Sequence, residues 1–482
     1  MTRPVQTNKL IVWLGVMSVI LISLILAFLL LKRGHVWGDD FAGYLLQTEA
    51  LLQGNPYDLW LQNKWMNERS VIAPGPDAYP WGYPMLLLPA YIFWGIHPLA
   101  LKSVNLLFYA AALFFMALIL YHYDRSFRSI VWLASFAFLP AILDQSDYIN
   151  SDLAFLAVTM VCLWLVSVWP TIDPGKAIIF GVVIFSATFI RTTGVVLWVL
   201  FINQYMREVY LQKNWKVFIA AVGSFLLPFL VQSVILPQGN SSYFTHFKLF
   251  TAQNLYQNLL YYLSLPGFAF SQIPAQSVVY LSFLVLAAFG WKERRRTFDS
   301  YLFFVFFMLA GTILWPERQG LRFVLPILPV LWVMAAAGQR VLEGNRWAVG
   351  KAVTWVMALV TLYALYISSS NAVNNIRNQR SINGPFDMYS AEMFEYIKAN
   401  ATPQDAIVFF KPRAMRLMAD VSHAFAARDC DSLAGASLVV INLKQDSELQ
   451  LTPDGFKACS VSLHSDQVFE NRRFQIYRIH RQ

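Results

Sequence analysis

Apolar blocks recur along this chain that a water-soluble core cannot absorb. The first, LIVWLGVMSVILISLILAFLLL from Leu10 to Leu31, is long enough for one bilayer crossing at about 20 residues. Run length places helices near 10–31, 84–121 (one or two pieces), 130–143, 152–169, 177–190, 194–206, 217–236, 275–291, 300–315, 323–339 and 348–368. The expectation is an all-α polytopic membrane protein with about 11 transmembrane helices, followed by a small C-terminal α/β soluble domain. Only 13% of the 482 residues are charged. Soluble domains carry about 25%, so a large globular enzyme is excluded.

The net charge of +9 would suggest nucleic acid in a soluble protein. Here the cations lie in short loops between apolar blocks, and no basic stripe interleaved with aromatics appears. With the N-terminus in the cytoplasm, the inward segments are 1–9, 122–129, 170–176, 207–216, 292–299 and 340–347. They carry Arg125, Arg128, Lys176, Arg207, Lys213, Lys216, Lys292, Arg294, Arg295, Arg296, Arg340 and Arg346. The outward segments 32–83, 144–151, 191–193, 237–274 and 316–322 are longer and richer in Trp, Tyr, Gly and Pro. The positive-inside rule therefore gives a cytoplasmic N-terminus. The short basic start (Arg3, Lys9) leads into an apolar run too long for a signal peptide, which reads as an uncleaved first helix. At Arg191-Thr192-Thr193-Gly194 two short apolar pieces meet. They form either a tight re-entrant hairpin or one long helix carrying an arginine, and the downstream charges favour the hairpin.

The expected domains are a transmembrane part over 1–368 and an α/β part over 369–482. SSSNAVNNIRNQRSINGP reads as a polar connector between them. SAEMFEYIKANATPQD has helical period, and AIVFF, SLVVINL and RRFQIYRI read as strands. Eleven crossings put this domain outside the cytoplasm. Cys162 falls inside a helix, as packing. Cys430 and Cys459 are the only cysteines of the tail. In an exported domain they either pair as a disulfide or stay as two buried thiols.

The first outward loop, HVWGDDFAGYLLQTEALLQGNPYDLW, holds two adjacent acids, Asp39 and Asp40. A helical stretch follows and ends at Gly54, a natural residue just past a helix. Tyr44 lies one turn after Asp40 and shares its face. Either acid could simply cap the helix. Two acids also allow one to cap and the other to point at a substrate.

Gly38, Asp39, Asp40, Tyr44, Gly54, Pro56 and Tyr57 together resemble the first periplasmic loop of GT-C superfamily glycosyltransferases. These polytopic enzymes take sugars from polyprenyl-phosphate carriers, and include protein O-mannosyltransferases and the aminoarabinose transferase of lipid A. Further motifs are similar in the same order: Tyr79-Pro80-Trp81-Gly82-Tyr83-Pro84, Asn150-Ser151-Asp152, Phe189-Ile190-Arg191-Thr192-Thr193-Gly194, and Arg318-Gln319-Gly320-Leu321-Arg322-Phe323-Val324-Leu325-Pro326. The resemblance implies a loop acid as catalytic base, at Asp40 with Asp39 in reserve. It implies Tyr44, Tyr83 and Asp152 against the substrate. The partners implied are membrane lipids, a polyprenyl-phosphate-linked sugar, and a glycan, lipid or protein acceptor.

The chemistry of the residues agrees. A polyprenyl-phosphate leaving group is anionic and needs cations, which arginine supplies well. Arg191, Arg318 and Arg322 lie at outward helix ends, against the positive-inside trend, and are candidates for the donor phosphate. Their structural alternatives are an ion pair of Arg191 with Asp144, Asp147 or Asp152, and of Arg318 with Glu317. His97, His246 and Lys248 lie in or near outer loops, more in keeping with packing than with a site. The aromatic stretch 243–270 reads as an interfacial segment, with a lipid-carrier groove as the sharper alternative. No H-E-x-x-H, paired C-x-x-C or clustered His suggests a metal, although a divalent cation on the Asp39/Asp40 or Asp144/Asp147 pairs stays open. No glycine-rich phosphate loop suggests a nucleotide-sugar. A flippase or transporter of a lipid-linked glycan is the runner-up, but transporters carry two related halves and none are visible here. A non-catalytic assembly subunit is the third reading.

Overall fold

The computed structural model describes residues 9–239, 251–315, 317–345, 347–378, 381–444, 450–460 and 464–480. The helices of the first half are α1 (Lys9–Leu30), α2 (Asp39–Gln53), α3 (Pro56–Arg69), α4 (Gly82–Trp94), α5 (Pro98–Tyr123), α6 (Arg128–Ala137), α7 (Pro140–Leu143), α8 (Asp152–Val168), α9 (Pro174–Ile190), α10 (Trp198–Leu211) and α11 (Trp215–Ile235). Those of the second half are α12 (Ala252–Ser264), α13 (Gln276–Glu293), α14 (Arg295–Ile313), α15 (Leu328–Asn345), α16 (Trp347–Asn378), α17 (Met388–Asn400), α18 (Pro412–Ala419) and α19 (Pro453–Ser460). The chain forms two compact units. One takes Met1–Leu31, Lys102–Gln232 and His246–Asn378; the other takes Lys32–Leu101, Ser233–Thr245 and Gln379–Gln482.

The first unit is a helical bundle. Among the described residues, six helices are long and apolar enough to cross a membrane, and α6 with α7 and the turn after it makes a seventh, bent by 60°. Length and apolarity together do not reach the eleven expected: α8, α9 and α10 have only 17, 17 and 14 residues, and α13, with 18, is not apolar enough. The closest helix packing is between α13 and α15. A Cβ at Gly290 would lie 2.0 Å from the Met334 carbonyl oxygen, and one at Gly338 would lie 1.8 Å from that of Leu286. Glycine on both sides lets the two backbones touch, which is how helices associate where lipid removes the hydrophobic drive. At Arg191 the chain leaves α9 in an extended conformation and turns through a 3₁₀ segment, Thr192–Leu197. Gly194 lies against the backbone of Ala187 and Thr188, so the chain doubles back, as the hairpin reading expected.

The stretch read as a polar connector from residue 369 is helical to Asn378. Tertiary bonds hold it: Ser368 donates to the Phe138 carbonyl at 2.9 Å, and Asn375 Nδ2 donates to those of Leu29 and Leu31 at 2.8 and 3.0 Å. The aromatic stretch resolves into α12 and a 3₁₀ turn, Leu265–Phe270, with Tyr262 buried and Tyr256 exposed. His246, Lys248, Tyr243, Phe244, Phe247 and Phe250 lie outside the described residues.

The second unit joins the first long loop to the C-terminal tail. Five strands, β1 (Ile407–Val408), β2 (Ala424–Phe425), β3 (Leu438–Asn442), β4 (Ser465–Glu470) and β5 (Phe474–Ile479), make a sheet of order β2-β1-β3-β5-β4. β2, β1 and β3 run parallel, while β5 is antiparallel to both β3 and β4. β3 is buried on both faces. Leu438 and Val440 join Phe394, Phe409 and Phe474, while Val439 and Ile441 join Phe425, Phe456 and Cys459. Period-2 alternation sends successive side chains into two separate cores. The first loop supplies a tryptophan to each: Trp37 packs 5.7 Å from the Phe409 ring, and Trp65 6.0 Å from that of Phe425. That exchange makes the loop and the tail one unit. Cys430 and Cys459 are joined in a disulfide, with Cα atoms 5.3 Å apart.

Candidate active site

The candidate residues gather in two places, one in each unit. In the second unit α2 starts directly after Gly38, with Asp39 and Asp40 as its first two residues. Neither acid caps the helix, since Gly38 holds the cap position and no side chain bonds there. Acids in a first turn still favour a helix through its dipole. Gly54 closes α2 in the left-handed region, φ 74°, as expected for that glycine.

Asp40 Oδ1 accepts the hydroxyl of Tyr79 at 2.6 Å. Tyr79 is held on every side. Its ring lies 4.7 Å from that of Tyr44, which in turn meets Tyr83 edge-on at 4.9 Å. Gln47 pairs with its backbone twice, accepting from the amide at 2.9 Å and donating to the carbonyl at 3.0 Å. A Cβ at residue 43 would lie 2.7 Å from the Tyr79 ring, so Gly43 is what lets the tyrosine lie against α2. Tyr44 and Tyr83, proposed from the sequence as substrate contacts, are both buried in this aromatic group.

Two arginines of α18 complete this group. Arg413 donates to the Tyr79 phenolic oxygen at 2.8 Å and to the Pro76 carbonyl at 2.5 Å. Arg416 donates to the side-chain oxygens of Asn63 and Gln62, each at 2.5 Å. Both are buried. The sequence reading missed them. An arginine every third residue on an eight-residue helix looks like a solvated face, and no local signal marks the partners. Asp39 is buried too, and among the described residues neither of its oxygens meets a donor in full hydrogen-bond geometry, the Ala414 amide being only near. Burial pushes its carboxyl above the ordinary carboxylate range, while the charges of Arg413 and Lys411 and the Ala414 amide pull partly the other way.

In the first unit Asp152 opens α8 and is almost wholly buried. It forms ion pairs with Arg191 and with Arg322, the latter at 3.0 Å. The Arg191 guanidinium also lies over the rings of Phe155 and Phe323, at 6.0 and 5.5 Å. Asp152 is therefore the partner of Arg191, the structural alternative raised above, and one carboxylate gathers two of the three candidate arginines. Arg318 does not join through that acid. It donates to Asn258 and Gln257, both at 3.2 Å, and lies over Tyr261. Asp147 takes a further buried cation, Lys102, at 2.7 Å. That lysine, inside an apolar run, was not singled out from the sequence. Asp144 and Asp147 share one 3₁₀ turn, Asp144–Asp147. Among the described residues no cluster of three or more His, Cys, Asp or Glu could hold a metal ion. His97 accepts the Ala100 amide at 3.3 Å, at the start of α5. Cys162 is buried in α8.

No protein-family profile matches the sequence, and no curated protein does. Solved structures do. ArnT from Cupriavidus metallidurans bound to undecaprenyl phosphate is 12% identical with a TM-score of 0.59, the match covering 98% of each chain. The same protein in its apo state is 13% identical with a TM-score of 0.60, over 96% of this chain and 97% of that one. The archaeal oligosaccharyltransferase AglB from Archaeoglobus fulgidus, in complex with an inhibitory peptide and a dolichol-phosphate, is 11% identical with a TM-score of 0.54, over 90% of this chain and 70% of that one. At such identities the likeness is one of fold. The chain shares their fold: a helical bundle with apolar spans and a small C-terminal domain built on a sheet.

Proposed function

We propose that this protein is a membrane glycosyltransferase that moves one sugar from a polyprenyl-phosphate donor to an acceptor hydroxyl outside the cytoplasm. Asp40 takes the proton of the acceptor hydroxyl. The freed oxygen attacks the anomeric carbon, and the bond from that carbon to the phosphate oxygen breaks on the opposite face. The sugar is inverted and the carrier leaves as a polyprenyl phosphate. Arg191, Arg318 and Arg322 hold the phosphate as its charge builds. The N-terminus is cytoplasmic, and the C-terminal domain lies on the other side of a bacterial inner membrane.

The observation that carries this reading is the setting of Asp40. It is a carboxylate in the first turn of a helix, ten residues after the described end of the first span, and it accepts a hydrogen bond from the Tyr79 phenol. A carboxylate held there by a neighbouring hydroxyl is placed to take the proton of an acceptor, which is the task of a general base. Support for the donor comes from the fold: ArnT and AglB, to which it is similar, were solved with undecaprenyl phosphate and a dolichol-phosphate. Mass spectrometry of membrane lipids tests the reading. A strain lacking the gene should accumulate a polyprenyl-phosphate-linked sugar, and wild-type protein should clear it while Asp40→Asn should not. If no lipid-linked sugar builds up, or if D40N clears it as wild type does, the assignment is lost.

A further inference from the structure

Arg413 is a hundredth exposed, in a helix of the C-terminal tail, and it bonds to a tyrosine that precedes α4, 334 residues earlier in the chain. Nothing in sugar transfer as set out above uses it. The hydrogen-bond inventory gives it a role. A phenol has one proton to donate and an oxygen that accepts, while a guanidinium can only donate. Arg413 occupies the Tyr79 oxygen as donor at 2.8 Å, so the Tyr79 proton is committed to Asp40 Oδ1 at 2.6 Å. The arrangement has little freedom. Arg413 is tied to the Pro76 carbonyl by its other terminal nitrogen and lies over the Tyr79 ring at 5.0 Å, and Gln47 fixes the tyrosine backbone.

We propose that the C-terminal domain positions the catalytic base: Arg413, acting through the Tyr79 hydroxyl, sets the rotation and the proton affinity of the Asp40 carboxylate. This rests on the reading of Asp40 as the base. Arg413 and Tyr79 are positioning residues and touch no reacting atom. A hydrogen bond donated to the charged form of a carboxylate holds its proton affinity down, and a nearby cation does the same. Other charged and titratable groups face this cluster: Asp39 from α2, Lys411 and Arg416 beside Arg413, and the Tyr44 and Tyr83 phenols. Asp39 works against Arg413, since its negative charge raises the proton affinity of its neighbour. A C-terminal domain in place thus yields a base that is ionised and pointed. Without that link the carboxylate loses a donated hydrogen bond and holds its proton to higher pH.

The test needs no ligand. Full-length protein in detergent is titrated by infrared difference spectroscopy, and subtraction of D40N isolates the Asp40 carboxyl band. In Tyr79→Phe, which keeps the ring and removes the donated proton, the Asp40 midpoint should rise by about one pH unit. In Arg413→Lys it should rise less, because a lysine can still donate to the phenol but lacks the planar fork. With the lipid-linked sugar that accumulates in the deletion strain as donor, the acid limb of turnover in Y79F should move up by the same amount, with kcat falling and KM nearly constant. Melting temperatures of both variants, measured alongside, separate this from unfolding. An unmoved Asp40 midpoint in Y79F overturns the inference, and if Y79F does not fold, an unmoved midpoint in R413K does so. Sugar transfer by D40N is a separate outcome: it would refute Asp40 as base, while the titration alone reports whether Tyr79 and Arg413 govern its carboxyl.

Discussion

Asp152 begins α8 with two guanidiniums on its carboxylate, whereas Asp40 sits one residue into α2 and meets Arg413 through a phenol. Both acids stand in the first turn of a helix, and both are served by arginines distant in sequence. They differ in what a proton would cost. Protonating Asp152 breaks two ion pairs inside a bundle, where a buried guanidinium without an anion is costly. Protonating Asp40 weakens a hydrogen bond donated by a neutral phenol, with the Arg413 guanidinium behind that phenol. The first arrangement suits a strut, which ties the break after α9 and the turn at Arg322 to the start of α8. The second suits a base. The two sites show that a carboxylate near an arginine is not informative by itself, and that the intervening atom decides its use.

Substitution to asparagine at each acid is the sharpest way to break this comparison. Asp40→Asn preserves size and polarity but cannot take the proton. Sugar transfer by the purified variant should fall by about 10²–10⁴, with the melting temperature little changed. Asp152→Asn should act in the opposite sense. It leaves Arg191 and Arg322, 16% and 24% exposed at their side chains, without their shared anion. Removing one partner of a buried pair costs about 3–5 kcal/mol, and the partial exposure here places the loss near 3 kcal/mol. Thermal unfolding in detergent would detect it. A D152N protein as stable as wild type yet inactive would mean that Asp152 belongs to the chemistry, and the contrast between the two acids would collapse.

A smaller effect sharpens the role of the strut's cations. Arg322→Ala should weaken binding of undecaprenyl phosphate, used as the probe, by about 10- to 100-fold, the range expected for a lost hydrogen bond to a charged group. Arg322→Lys should fall between, since a point charge replaces a planar fork. Arg191 still holds Asp152 in both variants, so the protein should stay folded. Equal affinity in all three proteins, measured by calorimetry, would leave Arg322 as a structural partner of Asp152 alone.

How far the sequence could be read depended on whether the cause was local. Run length located α1, α5, α11 and α16, and the short apolar pieces around Arg191 announced the break there, because each is set by residues adjacent in the chain. Gly54 was legible as a helix end for the same reason. The link from Asp40 to Arg413 was not. PRAMRLMA, Pro412–Ala419, carries two arginines in eight residues and resembles a solvated helix. Its burial is decided by Tyr79, Asn63 and Gln62, more than 330 residues away. The extension of α16 through SSSNAVNNIRN escaped notice on similar grounds. Serine and asparagine there satisfy carbonyls of Phe138, Leu29 and Leu31 instead of water. The pairing of Asp152 with Arg191 was one of three partners that the sequence left open, and packing chose among them.

The smallest expected effect concerns the neighbour of the proposed base. Asp39 is buried, and burial raises its proton affinity more than Arg413, Lys411 and the Ala414 amide lower it. Its carboxyl therefore binds a proton more tightly folded than unfolded. By linkage, the protonated group's contribution to stability is fully present below the ordinary carboxylate value and is lost as pH rises through the raised folded value. At neutral pH Asp39 is thus a cost to folding. Asp39→Asn resembles the protonated acid and should melt at a slightly higher temperature than wild type at pH 7. The gain should be on the order of 1 kcal/mol, the low end of what replacing a buried ion yields. The difference should shrink as pH falls through the raised folded value, where wild-type Asp39 takes up its proton. Sugar transfer should stay near the wild-type rate, because the Tyr79 bond goes to Asp40. A D39N protein that melts lower than wild type at pH 7 would mean that attraction to Arg413 outweighs burial. One that folds normally but transfers no sugar would move the base from Asp40 to Asp39.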